Sequence, residues 1–134
     1  MRWLYLGPRV WHGEKALEVL LEQISPNERV CIVTDHRVER SEFFRSLLAR
    51  LGSAAKSVQV FDSVDSTPDP SIIRECADFL SRTAPTWVIG VGGGSVVDAT
   101  KAARLLYENP ALELDLQEGV VLQRNAIRRN RRCM

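Results

Sequence analysis

Trp87-Val-Ile-Gly-Val-Gly-Gly-Gly-Ser95, continued by Val96-Val-Asp-Ala-Thr-Lys101, is the stretch from which the fold can be read. Trp87-Val88-Ile89 is a short apolar run that reads as a buried strand, and Val96, Ala99, Ala103 and Leu106 then recur at helical spacing. The glycines therefore lie where a strand turns sharply into a helix. Gly92, Gly93 and Gly94 lack a Cβ, so backbone N–H groups there can come close to a bulky anion. The helix behind them aims its unpaired N–H groups and the positive end of its dipole at the same spot. That combination binds phosphate or pyrophosphate.

A plainer reading stands beside it. Ser95 and Asp98 are three apart, as in a capping box with Asp for the usual Glu, and could serve only to start the helix. Capping alone, however, does not call for three consecutive glycines. Neither common nucleotide template is met. Gly90-x-Gly92-x-x ends on Ser95 instead of glycine, and no Gly-Lys-Ser/Thr occurs.

Working outward, strand and helix patterns alternate. Trp3–Leu6 reads as a weak strand ended by Gly7-Pro8, and Ala16, Leu17, Leu20, Leu21 and Ile24 share one helical face. Val30–Thr34 is a continuous apolar strand suited to burial on both faces of a parallel sheet. A helix is expected over 38–51, with Phe43, Phe44, Leu47, Leu48 and Leu51 inward and Gly52 ending it. Val58–Phe61 is the next strand, Asp62–Pro70 a loop, and Ser71 a cap for a helix to about Arg82. The repeated order predicts an α/β fold, an open Rossmann-like parallel sheet with helices on both faces, over residues 1–118. Residues 119–134 are expected to be a disordered basic tail.

The 134 residues suffice for one domain with a real core, and 45% apolar and 26% charged content is ordinary for a globular protein. The net charge of +1 hides an asymmetry: residues 1–118 hold 13 basic and 17 acidic side chains, whereas 119–134 hold five arginines and no acid. The body thus gives no electrostatic reason to expect nucleic acid. A nucleic-acid or membrane-surface arm would rest on the tail alone, whose arginines lack interleaved aromatics; a solvated extension is the simpler reading. Cys31, Cys76 and Cys133 are widely spaced, and the first two fall in apolar patterns, as small core residues do. With a start too quickly broken for a signal peptide and no run near the roughly 20 apolar residues of a membrane span, a cytoplasmic protein is expected.

Gly92-Gly-Gly-Ser-Val-Val-Asp-Ala-Thr-Lys-Ala102 resembles the Gly-Gly-Gly-Ser-x-x-Asp-x-x-Lys signature of iron-containing (group III) alcohol dehydrogenases. Glycerol dehydrogenases and dehydroquinate synthases share a looser form. The likeness runs from about Leu4 to Leu116 and is to the family's amino-terminal half, without its second, helical domain. It implies binding of NAD, with NADP left open, and a parent activity that oxidises alcohols or reduces aldehydes with Fe²⁺ or Zn²⁺. Such a metal polarises the alcohol oxygen so that hydride can pass to nicotinamide.

The resemblance implies a cofactor site formed by Asp35, Gly92, Gly93, Gly94, Ser95 and Asp98. Asp35 stands at a Val-Thr-Asp position where an Asp helps select NAD over NADP; its alternative is a cap or turn. Lys101 falls near the cofactor and cleft by the same likeness, or else pairs with Asp98 at i, i+3. Pro68-Asp-Pro-Ser71 stands where the family often has Pro-Asn-Pro-Thr, with Asp69 in place of Asn, and reads more simply as a surface turn. The family's metal is held by an Asp and three His from later in the chain. Only His12 and His36 occur here, without a His-x-x-x-His, so no metal ligand and no catalytic residue is assigned. The reading that results is a nucleotide-binding domain, truncated and inactive on its own, whose uncovered apolar face favours self-association. The alternatives are a stand-alone nucleotide-binding or interaction module without redox activity and a non-functional truncation product.

Overall fold

The computed structural model describes residues 15–64 and 69–109, together with the backbone of 114–115, 119–120 and 132–133. The expected strand at Trp3–Leu6, His12 and most of the 119–134 tail lie outside the described residues. Helix α1 (Ala16–Glu22) leads into strand β1 (Arg29–Val33), α2 (His36–Glu39) and α3 (Glu42–Ala54). Strand β2 (Ser57–Phe61), α4 (Pro70–Thr83), β3 (Trp87–Gly90) and α5 (Gly94–Glu108) follow. Leu114–Asp115 (β4) and Gly119–Val120 (β5) form an antiparallel pair, and Arg132–Cys133 (β6) runs parallel beside β3.

The sheet order is β2-β1-β3-β6, with β1 parallel to both neighbours. Val30 stands opposite Val58 and Trp87, and Val33 opposite Phe61 and Gly90. Alternate strand residues serve opposite faces. Val30, Ile32, Trp87 and Ile89 pack with Leu20, Phe44, Leu47 and Leu51 from α1 and α3. Cys31, Val33 and Val88 pack with Ile73, Cys76, Leu80, Val96, Ala99 and Ala103 from α4 and α5. β1 and β3 are covered on both sides, as their unbroken apolar runs require, and the expected doubly wound parallel sheet is what forms.

Some local expectations are corrected. The helix expected over 38–51 is two helices, because Ser41 takes an extended conformation and its Oγ accepts from the Phe44 N–H at 3.1 Å. That local bond offers the backbone an alternative to continuous helix. The buried face of α3 centres on Phe44, Leu47 and Leu51, and Phe43, about 75° off that centre at 100° per residue, is 55% exposed. Gly52 does not end α3, which runs on to Ala54; an exposed glycine there costs about 1 kcal/mol against alanine, not the helix. Helix α4 is capped by Asp69 rather than Ser71. Cys31 and Cys76 are free and buried as expected, and burial pushes the Cys76 thiol up to about 12.

Candidate nucleotide-binding site

The chain leaves β1 for β2 on one side and returns to β3 on the other, so the sheet reverses order between β1 and β3. Open α/β sheets collect ligands at such a switch point, outside the carboxyl ends of the strands. Two segments flank it here: Thr34–Asp35 after β1, and Val91–Ser95 after β3.

The four glycines from the end of β3 to the start of α5 are not equivalent. A Cβ at Gly90 would lie 2.7 Å from Thr100 Oγ1, so this glycine lets β3 and α5 pack closely. Gly92 has φ +154°, where side chains are rarely tolerated, and a Cβ there would lie 2.8 Å from Val96 Cγ2. Both are explained by the fold. Gly93 and Gly94 are not, since a Cβ on either would meet nothing within 4 Å. Gly93 is the N-cap of α5 in ordinary extended conformation, without a side-chain capping bond. Ser95 is thus the second residue of the helix, not its cap, and the capping box read from Ser95 and Asp98 does not form. By contrast α2, α3 and α4 are capped by Asp35, Ser41 and Asp69. Gly92, Gly93 and Gly94 are exposed, with Ser95 half-buried beside them. The bare backbone at the start of a fifteen-residue helix therefore faces open space, a geometry suited to a phosphate oxygen.

Asp35 follows β1 directly, on the other flank of the switch point. Its Oδ1 accepts from the Val38 N–H at 2.7 Å, so it caps α2 while remaining half-buried. Capping uses one carboxylate oxygen and leaves the other available. Asp98 is exposed on the second turn of α5, one turn before exposed Lys101. Among the described residues these two form no ion pair with each other. Asp69 is spent locally: its Oδ1 accepts from Ser71 Oγ at 2.6 Å and from the Ile72 N–H at 3.0 Å.

One grouping was not legible in the sequence. His36, Glu39 and Asp62 each bring a ligand atom within 4.8 Å of the others, and His36 Nδ1 lies 3.5 Å from Asp62 Oδ2. The hydrogen bond to Asp62 raises the pKa of Glu39, and the same bond lowers that of Asp62. His36 is 61% exposed, so its bond to Asp62 is weak. No sequence spacing joins position 62 to 36 and 39; only the parallel pairing of β1 and β2 does.

With strand, glycine turn and helix in place, the comparison with known proteins decides the lineage. The profile of iron-containing alcohol dehydrogenases matches residues 7–131. The chain belongs to the iron-containing alcohol dehydrogenase family. It is 30% identical over 122 residues to an aldehyde-alcohol dehydrogenase of Streptococcus pneumoniae, covering 90% of this chain and 14% of that protein. It is 29% identical to an NADPH-dependent butanol dehydrogenase of Clostridium saccharobutylicum, over 79% of this chain and 27% of that one. Among solved structures, an iron-containing alcohol dehydrogenase from Thermococcus thioreducens superposes with a TM-score of 0.71 at 29% identity. That match covers 84% of this chain and 29% of the other. The chain thus spans between about a seventh and a third of these family members, and what it aligns with is the amino-terminal Rossmann-like part of the iron-containing alcohol dehydrogenases. Among the described residues no helix is long and apolar enough to cross a membrane.

Proposed function

We propose that this chain is the dinucleotide-binding domain of a metal-dependent alcohol dehydrogenase and holds the pyrophosphate of NAD on the backbone of Gly92–Ser95. The observation that carries the reading is the bare cradle at Gly93 and Gly94, the two glycines that packing does not explain. Gly92 supplies the turn, and the α5 N-terminus supplies partial positive charge. Asp35, across the switch point, accepts hydrogen bonds from the ribose with the oxygen its cap leaves over and disfavours a 2′-phosphate; NAD is therefore preferred and NADP is the weaker ligand. Asp98, exposed on the second turn of α5, faces the same ligand.

The family's metal does not fit the residues present. Its ligand set of one Asp and three His exceeds the two histidines of this chain. The His36–Glu39–Asp62 group, one exposed histidine with two half-buried carboxylates, is of another composition. No hydride-transfer step is therefore assigned to this chain, which binds the cofactor and does not turn over an alcohol by itself. Self-association through the face a catalytic domain would cover belongs to the same proposal.

Gly93→Val provides the test. The residue's backbone is extended and its surroundings open, so valine leaves the fold intact while filling the cradle. Calorimetry is expected to show NADH binding to the parent chain and none to the variant. Equal binding by both would remove the glycine loop from the site.

A further inference from the structure

Thr34 is wholly buried, at 0% exposed, and yet polar. Its backbone is already engaged: the N–H donates to the Phe61 carbonyl at 2.8 Å, and the carbonyl accepts from the Val64 N–H at 3.3 Å. The hydroxyl has a separate task, donating to the Val91 carbonyl at 2.7 Å. Val91 is held from its other side as well, since its N–H donates to the Val33 carbonyl at 2.9 Å. Both peptide groups flanking Val91 are thus tied to the end of β1.

A trans peptide is planar, and its C=O and N–H point in opposite directions. Turning the Val91 carbonyl towards buried Thr34 therefore turns the Gly92 N–H away from it, towards the exposed loop. The next residue is glycine, which offers little resistance to rotation of that peptide. A rotated peptide would present a carbonyl oxygen where an N–H now stands, and an anion would be repelled. We infer that Thr34 is a positioning residue for the glycine loop: its hydroxyl locks the Val91–Gly92 peptide in the anion-accepting orientation. The choice of ligand rests on the nucleotide reading above, whereas the orientation of the peptide does not.

The full chain is compared with Thr34→Val, which keeps the shape and removes the donor, and Thr34→Ser, which keeps the donor. One readout is the Gly92 amide in ¹⁵N-resolved spectra without ligand. The other is the affinity for NADH and for inorganic pyrophosphate. Thr34→Val is expected to move the Gly92 amide while leaving those of β1 and α3 in place. It should weaken both ligands about tenfold, as loss of one hydrogen bond implies. Thr34→Ser should restore both. An unmoved Gly92 amide in folded Thr34→Val, or a serine variant as impaired as the valine one, overturns the inference. If Thr34→Val does not fold, Thr34→Ala against Thr34→Ser makes the same division. A parent chain that binds neither ligand, with the amide still moved by Thr34→Val, sinks the nucleotide reading and supports the lock.

Discussion

At the scale of single residues, the loop separates glycines that packing demands from those that packing leaves unexplained. Gly92→Ala must place a Cβ against Val96 at φ +154° and is expected to cost about 1–3 kcal/mol. Gly93→Ala enters open space in an extended conformation. Loss of glycine's favour at an N-cap and reduced freedom of the unfolded chain offset one another there, so its stability should stay within about 0.5 kcal/mol. Chemical denaturation of the two variants measures the contrast. Asp35 has an observed cap and a proposed ribose contact to separate. Asp35→Asn keeps an equally good cap for α2 but removes the charge. If the carboxylate faces the ribose, the parent should prefer NADH over NADPH by about tenfold, and Asp35→Asn should narrow the gap. Equal affinities in the parent would take Asp35 out of the site.

At the scale of elements, the ends of helices carry most of the local information. Side-chain caps at Asp35, Ser41 and Asp69 start α2, α3 and α4, whereas α5 begins on bare glycine. Asp69 makes its cap testable by pH. Hydrogen bonds from Ser71 and from the Ile72 N–H hold its carboxyl below the ordinary 3.8. The folded state therefore binds its proton less readily than the unfolded chain. The stability this adds is complete above the unfolded value and is lost as pH falls through the lower, folded one. In thermal melts, Asp69→Asn should keep the cap at neutral pH and show a shallower acid loss than the parent. Asp69→Ala should melt lower already at neutral pH. Identical acid profiles for the parent and Asp69→Asn would mean that the charge contributes nothing. The element boundaries were the least legible part of the chain. Ser41 looked like one polar residue within a helical pattern, and only its backbone geometry made it a cap that divides α2 from α3.

For the whole molecule, the proposed cofactor half-site lies at the carboxyl ends of β1 and β3, and the chain lacks the family's metal-ligand set. An alcohol keeps its proton near neutral pH, with a pKa close to the roughly 16 of bulk water, unless a bound cation acidifies it. The residues present do not supply the family's ligand set. NAD reduction with short alcohols, in the presence of Fe²⁺ or Zn²⁺, is therefore expected to stay at background. Turnover that a chelator abolishes would reveal a metal site formed by residues other than those assigned here.

The strand–glycine–helix order, the parallel doubly wound sheet and the family lineage all followed from the linear chain, because each depends on local periodicity and on a contiguous motif at Gly92–Lys101. The buried runs at Val30–Val33 and Trp87–Ile89 were legible for the same reason: a strand covered on both faces has no polar alternation to hide it. Tertiary structure decided what depends on residues far apart in sequence. The hydroxyl of Thr34 reaches Val91 57 positions away, Asp62 joins His36 and Glu39, and Gly90 and Gly92 turn out to be demanded by packing while Gly93 and Gly94 do not. Each of these is set by parallel register and by the approach of α5 to β3, distances that no spacing along one strand or helix encodes.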